Sequence, residues 1–184
     1  MSNGASEEAA RAYILAGGRS LRWGADKAVA LVDGRALALH AAEALRAAGY
    51  APWIVARESR PTLGLPELME PDGPRHPAWG LAHALLDARA HGRDGALFLP
   101  CDLVGVTGAQ VLELARAHAT ASGQPLAGWW PQVGPGGHDV IAVLLAAAGD
   151  GARMREIVDV LGLARIEVGT WDHRNRPTES PTTS

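Results

Sequence analysis

A glycine pair followed by basic side chains is the stretch of this sequence best suited to chemistry. Gly17 and Gly18 follow a short apolar run, and the next nine residues contain three cations and one acid, Arg19, Arg22, Lys27 and Asp26. Adjacent glycines let the backbone turn sharply and approach a ligand closely. Backbone N–H groups in such a turn, with cations beside them, suit phosphate oxygens. The stretch therefore predicts a polyphosphate site, and a glycine-rich turn with ordinary surface cations is the alternative.

The spacing fits neither of the common phosphate-binding loops. A Walker loop has its lysine directly after a glycine, whereas Ala25 and Asp26 separate Gly24 from Lys27. The dinucleotide fingerprint, with glycines at its first, third and sixth positions, is absent too. A phosphate loop of a different kind is indicated.

The carboxylate of Asp102 is the second candidate group. It follows the apolar run 96–99, a pattern typical of a strand buried on both faces. A carboxylate there is costly unless something pairs with it, and Thr107 already provides a cap for the next helix. A single carboxylate beside a polyphosphate is an expected way to hold Mg²⁺. Cys101 has no evident histidine partner, so we interpret it as a packing residue.

Lys27 is the best candidate for catalysis at such a site. Transfer of a nucleotidyl group adds negative charge to the α-phosphate and to the departing pyrophosphate, so a fixed cation helps most in the transition state. The forked donors of Arg22 suit the same phosphates. Arg19 is expected to be solvated, and a solvated surface lysine is the alternative for Lys27.

Alternating strands and helices must position these residues. Strands are predicted at 12–14, 53–56, 68–69, 96–99, 125–130, 138–145 and 165–168, and helices at 36–48, 79–91, from 107 onward and at 153–161. This alternation predicts an α/β fold, a mostly parallel sheet with helices on both faces. Ligands of such sheets bind beyond the carboxyl ends of the strands, so we expect Gly17, Gly18 and Asp102 to meet at one edge.

Composition limits the class of protein. The 184 residues fit one domain, predicted at 12–175, with 1–11 and 177–184 as flexible tails. A net charge of −3 argues against nucleic-acid binding, and a single cysteine excludes an internal disulfide. We find neither a secretory signal nor an apolar run of membrane length, so a cytoplasmic protein without membrane or nucleic-acid partners is predicted.

Two motifs resemble a known family. Residues 15–27 resemble the signature L-A-G-G-x-S-x-R-M-G-x-D-K of the molybdenum cofactor guanylyltransferase-like (MobA-like) nucleotidyltransferases, with Trp23 in place of the usual methionine. Pro100-Cys101-Asp102 resembles the family's P-C-D, whose aspartate binds magnesium. The resemblance implies a three-layer α/β/α, Rossmann-like fold of the glycosyltransferase-A type. It implies catalytic roles for Lys27, Arg22 and Asp102, with Asp102 as the Mg²⁺ ligand. It also implies nucleotide contacts from Leu15, Ala16, Gly17, Gly18, Lys27, Asp72 and Asp102.

Three other regions resemble the family more loosely. Asp72 lies where the family has an acid that lines the nucleotide pocket, before a stretch that here is 77–81. His138 begins a run similar to the family's H-P-x-x-A-L strand, and either a pterin contact or a structural role fits it. Of the adjacent Trp129 and Trp130, which a strand would point to opposite faces, one could stack on a pterin or a base, with packing as the alternative.

The C-terminal motif departs from the family's N-x-N-T-P-E. Residues 171–179 keep Asn175 and Pro177 in register, but His173 stands at the first asparagine, and Asp172 would replace it after a shift of one residue. The second metal ligand therefore stays open among Asp172, His173 and Asn175.

The resemblance implies transfer of GMP from GTP to molybdopterin, giving the guanine dinucleotide cofactor and pyrophosphate, with a molybdoenzyme or chaperone as the partner that receives the product. A cytidylyltransferase of the same pathway is an alternative, although such enzymes usually have L-A-A-G where Gly17 stands here. Sugar-phosphate nucleotidyltransferases are generally longer. The altered C-terminal motif motivates a further alternative, a non-catalytic nucleotide-binding relative.

Overall fold

The computed structural model describes residues 9–16, 26–169 and 172–173. The strands are β1 (Arg11–Leu15), β2 (Leu31–Val32), β3 (Arg35–Ala36), β4 (Ala51–Ala56), β5 (Glu67–Met69), β6 (Gly95–Pro100), β7 (Leu103–Val104), β8 (Thr120–Ala121), β9 (Gln124–Pro131), β10 (Arg165–Ile166) and β11 (Asp172–His173). The helices are α1 (Leu37–Ala47), α2 (Pro77–Ala90), α3 (Gly108–Ala117), α4 (Val140–Asp150) and α5 (Met154–Leu161), with 3₁₀ turns at Lys27–Val29 and Pro61–Leu63.

Seven strands form the central sheet in the order β10-β8-β9-β6-β1-β4-β5. The neighbours β6, β1, β4 and β5 are parallel, as are β10 and β8, while β9 runs antiparallel to both of its partners. The helix α1 lies between β1 and β4 and α2 lies between β5 and β6, as expected for crossovers in parallel sheets, whereas β4 and β5 are joined by a loop with one 3₁₀ turn. The predicted fold class, a mostly parallel α/β sheet, is confirmed.

Side chains of the central strands alternate between two hydrophobic cores, one on each face of the sheet. On β6, Leu97 and Leu99 join one core with residues of α1 and α3, whereas Phe98 joins the other with residues of α2, α4 and α5. Alternation of this kind covers a strand on both faces and explains why every residue of β6 is buried. Trp129 and Trp130 also pack against opposite cores, as predicted.

Helix ends follow the predicted signals in the first two thirds of the chain. The predicted helices 36–48 and 79–91 correspond to α1 and α2. Thr107 caps α3 in a capping box, in which Gln110 N–H donates to Thr107 Oγ1 at 3.3 Å and Thr107 N–H donates to Gln110 Oε1 at 2.9 Å. His118 follows α3 in the left-handed conformation and is exposed.

The strand predicted at 138–145 is wrong, because most of this segment forms α4. Asp139 caps the helix by accepting the N–H groups of Ile141 and Ala142 at 3.0 and 3.2 Å. Residues 140, 141, 144 and 148 are buried, which is helical spacing. A continuous apolar run does not distinguish a strand from a buried helix, and the aspartate at its start was the missed signal.

Short pairings complete the fold. β2 and β3 form a hairpin around Asp33-Gly34, and the strand predicted at 165–168 is reduced to Arg165–Ile166. β11 pairs antiparallel with β7. The predicted tail from 177 onward lies outside the described residues. In the part of the chain that the structure describes, no helix is long and apolar enough to cross a membrane.

Candidate active site

The carboxyl ends of β1, β4 and β6 meet at one edge of the sheet, which we call the carboxyl edge. Ala16 N–H, just after β1, donates to the carbonyl of Val55 at 3.0 Å, and Cys101 N–H, just after β6, donates to Leu15 O at 3.2 Å. These bonds extend the strand pairing by one residue and fix the backbone where each loop leaves the sheet. Loops that leave this edge are where α/β proteins bind ligands.

Lys27 and Asp102, which are 75 residues apart in sequence, form an ion pair at the carboxyl edge. Lys27 Nζ donates to Asp102 Oδ2 at 2.5 Å, and the two side chains are only 15% and 13% exposed. Lys27 begins a 3₁₀ turn, and Asp102 lies in the turn after β6. The structure therefore brings together the lysine and the aspartate that the sequence motifs had singled out.

Asp26 links the turn that carries Lys27 to a partly buried arginine. Its Oδ1 accepts the N–H of Ala28 at 3.1 Å and so caps the 3₁₀ turn, while its Oδ2 accepts the Nε–H of Arg60. Arg60 also donates from Nη1 to Glu58 O at 2.7 Å and from Nη2 to Ala16 O at 3.4 Å. Its side chain is 11% exposed.

A second arginine follows β4 and holds the segment after β5. Arg57 Nε–H donates to Glu70 Oε2 at 3.1 Å, and its Nη atoms donate to the carbonyl oxygens of Gly73, at 2.9 Å, and Pro74. The Glu70 side chain is 5% exposed, and this burial, which outweighs the attraction of Arg57, raises the pKa of its carboxyl group. The segment 70–74 is thereby tied to the same edge as the Lys27–Asp102 pair.

The other predicted site residues differ in their surroundings. Leu15 ends β1 and Ala16 is buried, but Gly17, Gly18 and Arg22 lie outside the described residues, as does Arg19. Asp72 is exposed in a bend after β5, and its side chain makes no hydrogen bond or ion pair with the residues that the structure describes.

Cys101 is buried beside the ion pair. Burial, with the neighbouring Asp102 carboxylate, raises the pKa of the thiol to about 12. At neutral pH the sulfur is a thiol and not a thiolate, so it is a poor nucleophile. These properties agree with the packing role that the sequence suggested.

The C-terminal motif returns to the neighbourhood of Asp102. In the β11–β7 pairing, His173 lies opposite Leu103 and Asp172 opposite Val104. His173 is therefore in register with the residue directly after Asp102. Asn175 lies outside the described residues. His138, by contrast, is exposed in the turn before α4.

The donor set at the carboxyl edge suits a cation that takes most of its ligands from elsewhere. Within residues 9–16, 26–169 and 172–173, no group of three or more His, Cys, Asp or Glu side chains is arranged to hold a metal ion. Asp102 supplies one carboxylate from a partly buried position. One carboxylate together with phosphate oxygens is the typical donor set of Mg²⁺.

Sequence reasoning missed Arg57, Arg60 and Glu70. Arg57 and Arg60 follow the carboxyl end of β4 by one and four residues, and Glu70 directly follows β5. Charged residues directly after predicted parallel strands were the available signal, because they lie at the ligand-binding edge.

Comparison with solved structures gives matches to nucleotidyltransferase-like folds at low identity. Molybdopterin-guanine dinucleotide biosynthesis protein A from Archaeoglobus fulgidus is 14% identical, with a TM-score of 0.65 over 86% of this chain and 83% of that chain. A putative glucose-1-phosphate thymidylyltransferase from Bacillus anthracis is 14% identical, with a TM-score of 0.60 over 92% and 91% of the two chains. For 2-C-methyl-D-erythritol 4-phosphate cytidylyltransferase from Thermus thermophilus the values are 15%, 0.53, 87% and 88%. At these identities the likeness shows the fold alone.

The sequence itself matches a family. A search of curated proteins found no match. The model of the MobA-like NTP transferase domain matches residues 12–159, a segment that includes Lys27, Asp102 and the strands that carry them to the carboxyl edge. The chain therefore belongs to the MobA-like NTP transferase domain family of nucleotidyltransferases.

Proposed function

We propose that this nucleotidyltransferase moves GMP from GTP to molybdopterin, forming the guanine dinucleotide cofactor and releasing pyrophosphate. The observation that carries the proposal is the Lys27–Asp102 ion pair at the carboxyl edge, within the matched family segment. A cation that can bind phosphate and a carboxylate that can bind a metal ion are joined there by one hydrogen bond. The matched signature, with Gly17 where cytidylyltransferases usually have alanine, favours guanine.

Lys27 would act on the triphosphate in this reaction. When the nucleotide arrives, the ammonium group exchanges Asp102 for phosphate oxygens and offsets the charge that grows on the α-phosphate and on pyrophosphate. Arg22 would add a forked donor to the same oxygens. Leu15, Ala16, Gly17, Gly18 and Asp72 are the proposed remaining nucleotide contacts.

Asp102 fits the role of a cation ligand because its carboxylate is partly buried and already paired with a positive charge. A divalent cation such as Mg²⁺ held there supplies further positive charge to the triphosphate oxygens. The second ligand would come from Asp172, His173 or Asn175, and the β11–β7 register favours the first two by backbone position. The acceptor phosphate is already ionised, so orienting it for attack takes the place of a general base.

The proposal also covers the setting of the enzyme. We propose that the domain predicted at 12–175 is one catalytic domain, to which Arg11 also belongs because it begins β1 and pairs with Asp87. We propose that it works in the cytoplasm on small-molecule substrates. A molybdoenzyme or a chaperone would be the partner that takes the product.

Pyrophosphate release with GTP or CTP and Mg²⁺, with and without molybdopterin, tests this function. We expect turnover only with GTP and molybdopterin together, and loss of turnover when EDTA removes the metal. Preference for CTP would indicate the cytidylyltransferase alternative. Tight GTP binding without turnover by any acceptor would indicate a non-catalytic relative and would overturn the proposal.

A further inference from the structure

We infer that Arg60 is a positioning residue that joins Ala16, at the end of β1, to Asp26 and thereby sets the position of Lys27. The inference rests on the proposed function, since Lys27 matters only if it binds phosphate. It concerns a residue that lies outside both sequence motifs, in the loop after β4.

Arg60 contacts both Ala16 and Asp26. Its Nη2 donates to the carbonyl of Ala16, directly after β1, at 3.4 Å. Its Nε donates to the carboxylate of Asp26, which caps the turn Lys27–Val29. One guanidinium group therefore joins the carboxyl end of β1 to the residue that precedes Lys27.

Contacts with β5 and with the loop after β4 hold Arg60 in place. Its backbone N–H donates to the Glu67 carboxylate at the start of β5, and its Nη1 donates to Glu58 O at 2.7 Å. The 3₁₀ turn that follows begins with Pro61 and buries Leu63 in the core. A planar guanidinium on such a support binds several oxygens in a fixed geometry.

These contacts make Arg60 a support for the site. All three guanidinium nitrogens donate to oxygens of the protein, and the side chain is 11% exposed. Lys27, next to Asp26 in sequence, is the cation that reaches Asp102. Arg60 therefore positions Asp26, Asp26 caps the turn Lys27–Val29, and that turn positions the ammonium group of Lys27.

The first test measures the support without any substrate. In Arg60→Met, amide hydrogen exchange of residues 26–29 should become at least about tenfold faster, while exchange in β6 is unchanged. Asp26→Asn keeps a side-chain oxygen for the cap but loses the charge, so it should give the same change in smaller degree. Arg35→Met is the matched control, because Arg35 pairs with Glu43 on the exposed surface. Unchanged exchange at 26–29 in both Arg60→Met and Asp26→Asn would overturn the inference, whatever the substrate is.

The second test asks whether Arg60 acts through Lys27. Arg60→Met should lower kcat/KM for the triphosphate by about 10- to 100-fold in the wild-type background, and by less than about threefold in a Lys27→Met background. Arg60→Lys should restore only part of the loss, because an ammonium group does not join three acceptors in one plane. Equal losses in the two backgrounds would mean a merely structural role and would overturn the inference. A wild-type protein that neither binds nor turns over a triphosphate would instead refute the proposed function. The hydrogen-exchange test would still decide whether Arg60 supports the turn that carries Lys27.

Discussion

The two edges of the central sheet both carry partly buried ion pairs, but they use them differently. The amino edge is the opposite edge, where β1 begins with Arg11. There, Asp87 of α2 accepts hydrogen bonds from Arg11 Nη1 at 3.0 and 3.2 Å and from the Tyr13 hydroxyl at 2.6 Å. Arg11 also lies over the ring of Trp53, 3.9 Å from its centroid. At the carboxyl edge, Lys27 and Asp102 meet on a turn and a loop.

The difference lies in the elements that present the charges. Arg11, Tyr13 and Trp53 lie on strands, and Asp87 lies on a helix. Regular backbone hydrogen bonds fix the elements that carry these side chains, so we expect the side chains to stay in contact. The buried Tyr13 hydroxyl, bonded to Asp87, has its pKa raised by that burial and by the carboxylate. Lys27 and Asp102 stand on irregular backbone at the ligand-binding edge. We interpret the first pair as a stabilising contact and the second as an exchangeable one.

The largest expected effect is a difference in kcat between a variant at the carboxyl edge and a variant at the amino edge. Lys27→Met should lower kcat about 100- to 1,000-fold, because the cation aimed at the developing phosphate charge is gone. Arg11→Met, the matched variant at the amino edge, should leave kcat within about threefold of wild type. Steady-state pyrophosphate release measures both. Equal losses in the two variants would abolish the distinction between the edges.

The next largest effect is a loss of stability in a variant at the amino edge. Asp87→Asn should lower the free energy of unfolding by about 1.5–3 kcal/mol, because it removes the charged acceptor that Arg11 and Tyr13 share. Urea denaturation measures this loss, and kcat should not change. Glu43→Gln, in the exposed pair with Arg35, serves as the control and should have almost no effect. A catalytic defect in Asp87→Asn would give the amino edge a role that we do not assign to it.

A smaller effect concerns the exchange of partners at the carboxyl edge. Without nucleotide, Lys27 competes with a divalent cation for Asp102, so Lys27→Met should bind Mn²⁺ about tenfold more tightly. Electron paramagnetic resonance titration of free Mn²⁺ measures this affinity. Asp102→Asn should abolish the gain. Unchanged Mn²⁺ affinity in Lys27→Met would show that the carboxylate of Asp102 is not the metal ligand.

The smallest effect is a pH dependence at the Arg57–Glu70 pair. Because burial raises the pKa of Glu70 in the folded protein, the folded state binds more protons than the unfolded state between the two pKa values. The contribution of Glu70 to stability is therefore full below its unfolded pKa and declines as the pH rises through its folded pKa. Glu70→Gln should remove this decline. Denaturation of both proteins between pH 4 and pH 7 measures the difference, and identical slopes would contradict it.

Much of the fold could be predicted because short stretches of sequence specify its main elements. The apolar run of β6, the helical spacing of α1 and the capping box of Thr107 are all properties of a few adjacent residues. The prediction failed at α4, where a continuous apolar run has no period, and at β7, β8 and β11, each of which has only two residues. Strands this short exist because of the partner they pair with, which the local sequence does not specify.

For the candidate site, the sequence by itself determined which side chains are candidates for the chemistry: the motif around Lys27 and the aspartate after β6. Only the tertiary structure decided that these two side chains meet, that Arg60 joins Ala16 to Asp26, and that Glu70 is buried against Arg57. The reason is that a motif encodes residue types over a short span. Contacts between Lys27 and Asp102, or Arg60 and Asp26, depend on how the parallel strands align their ends.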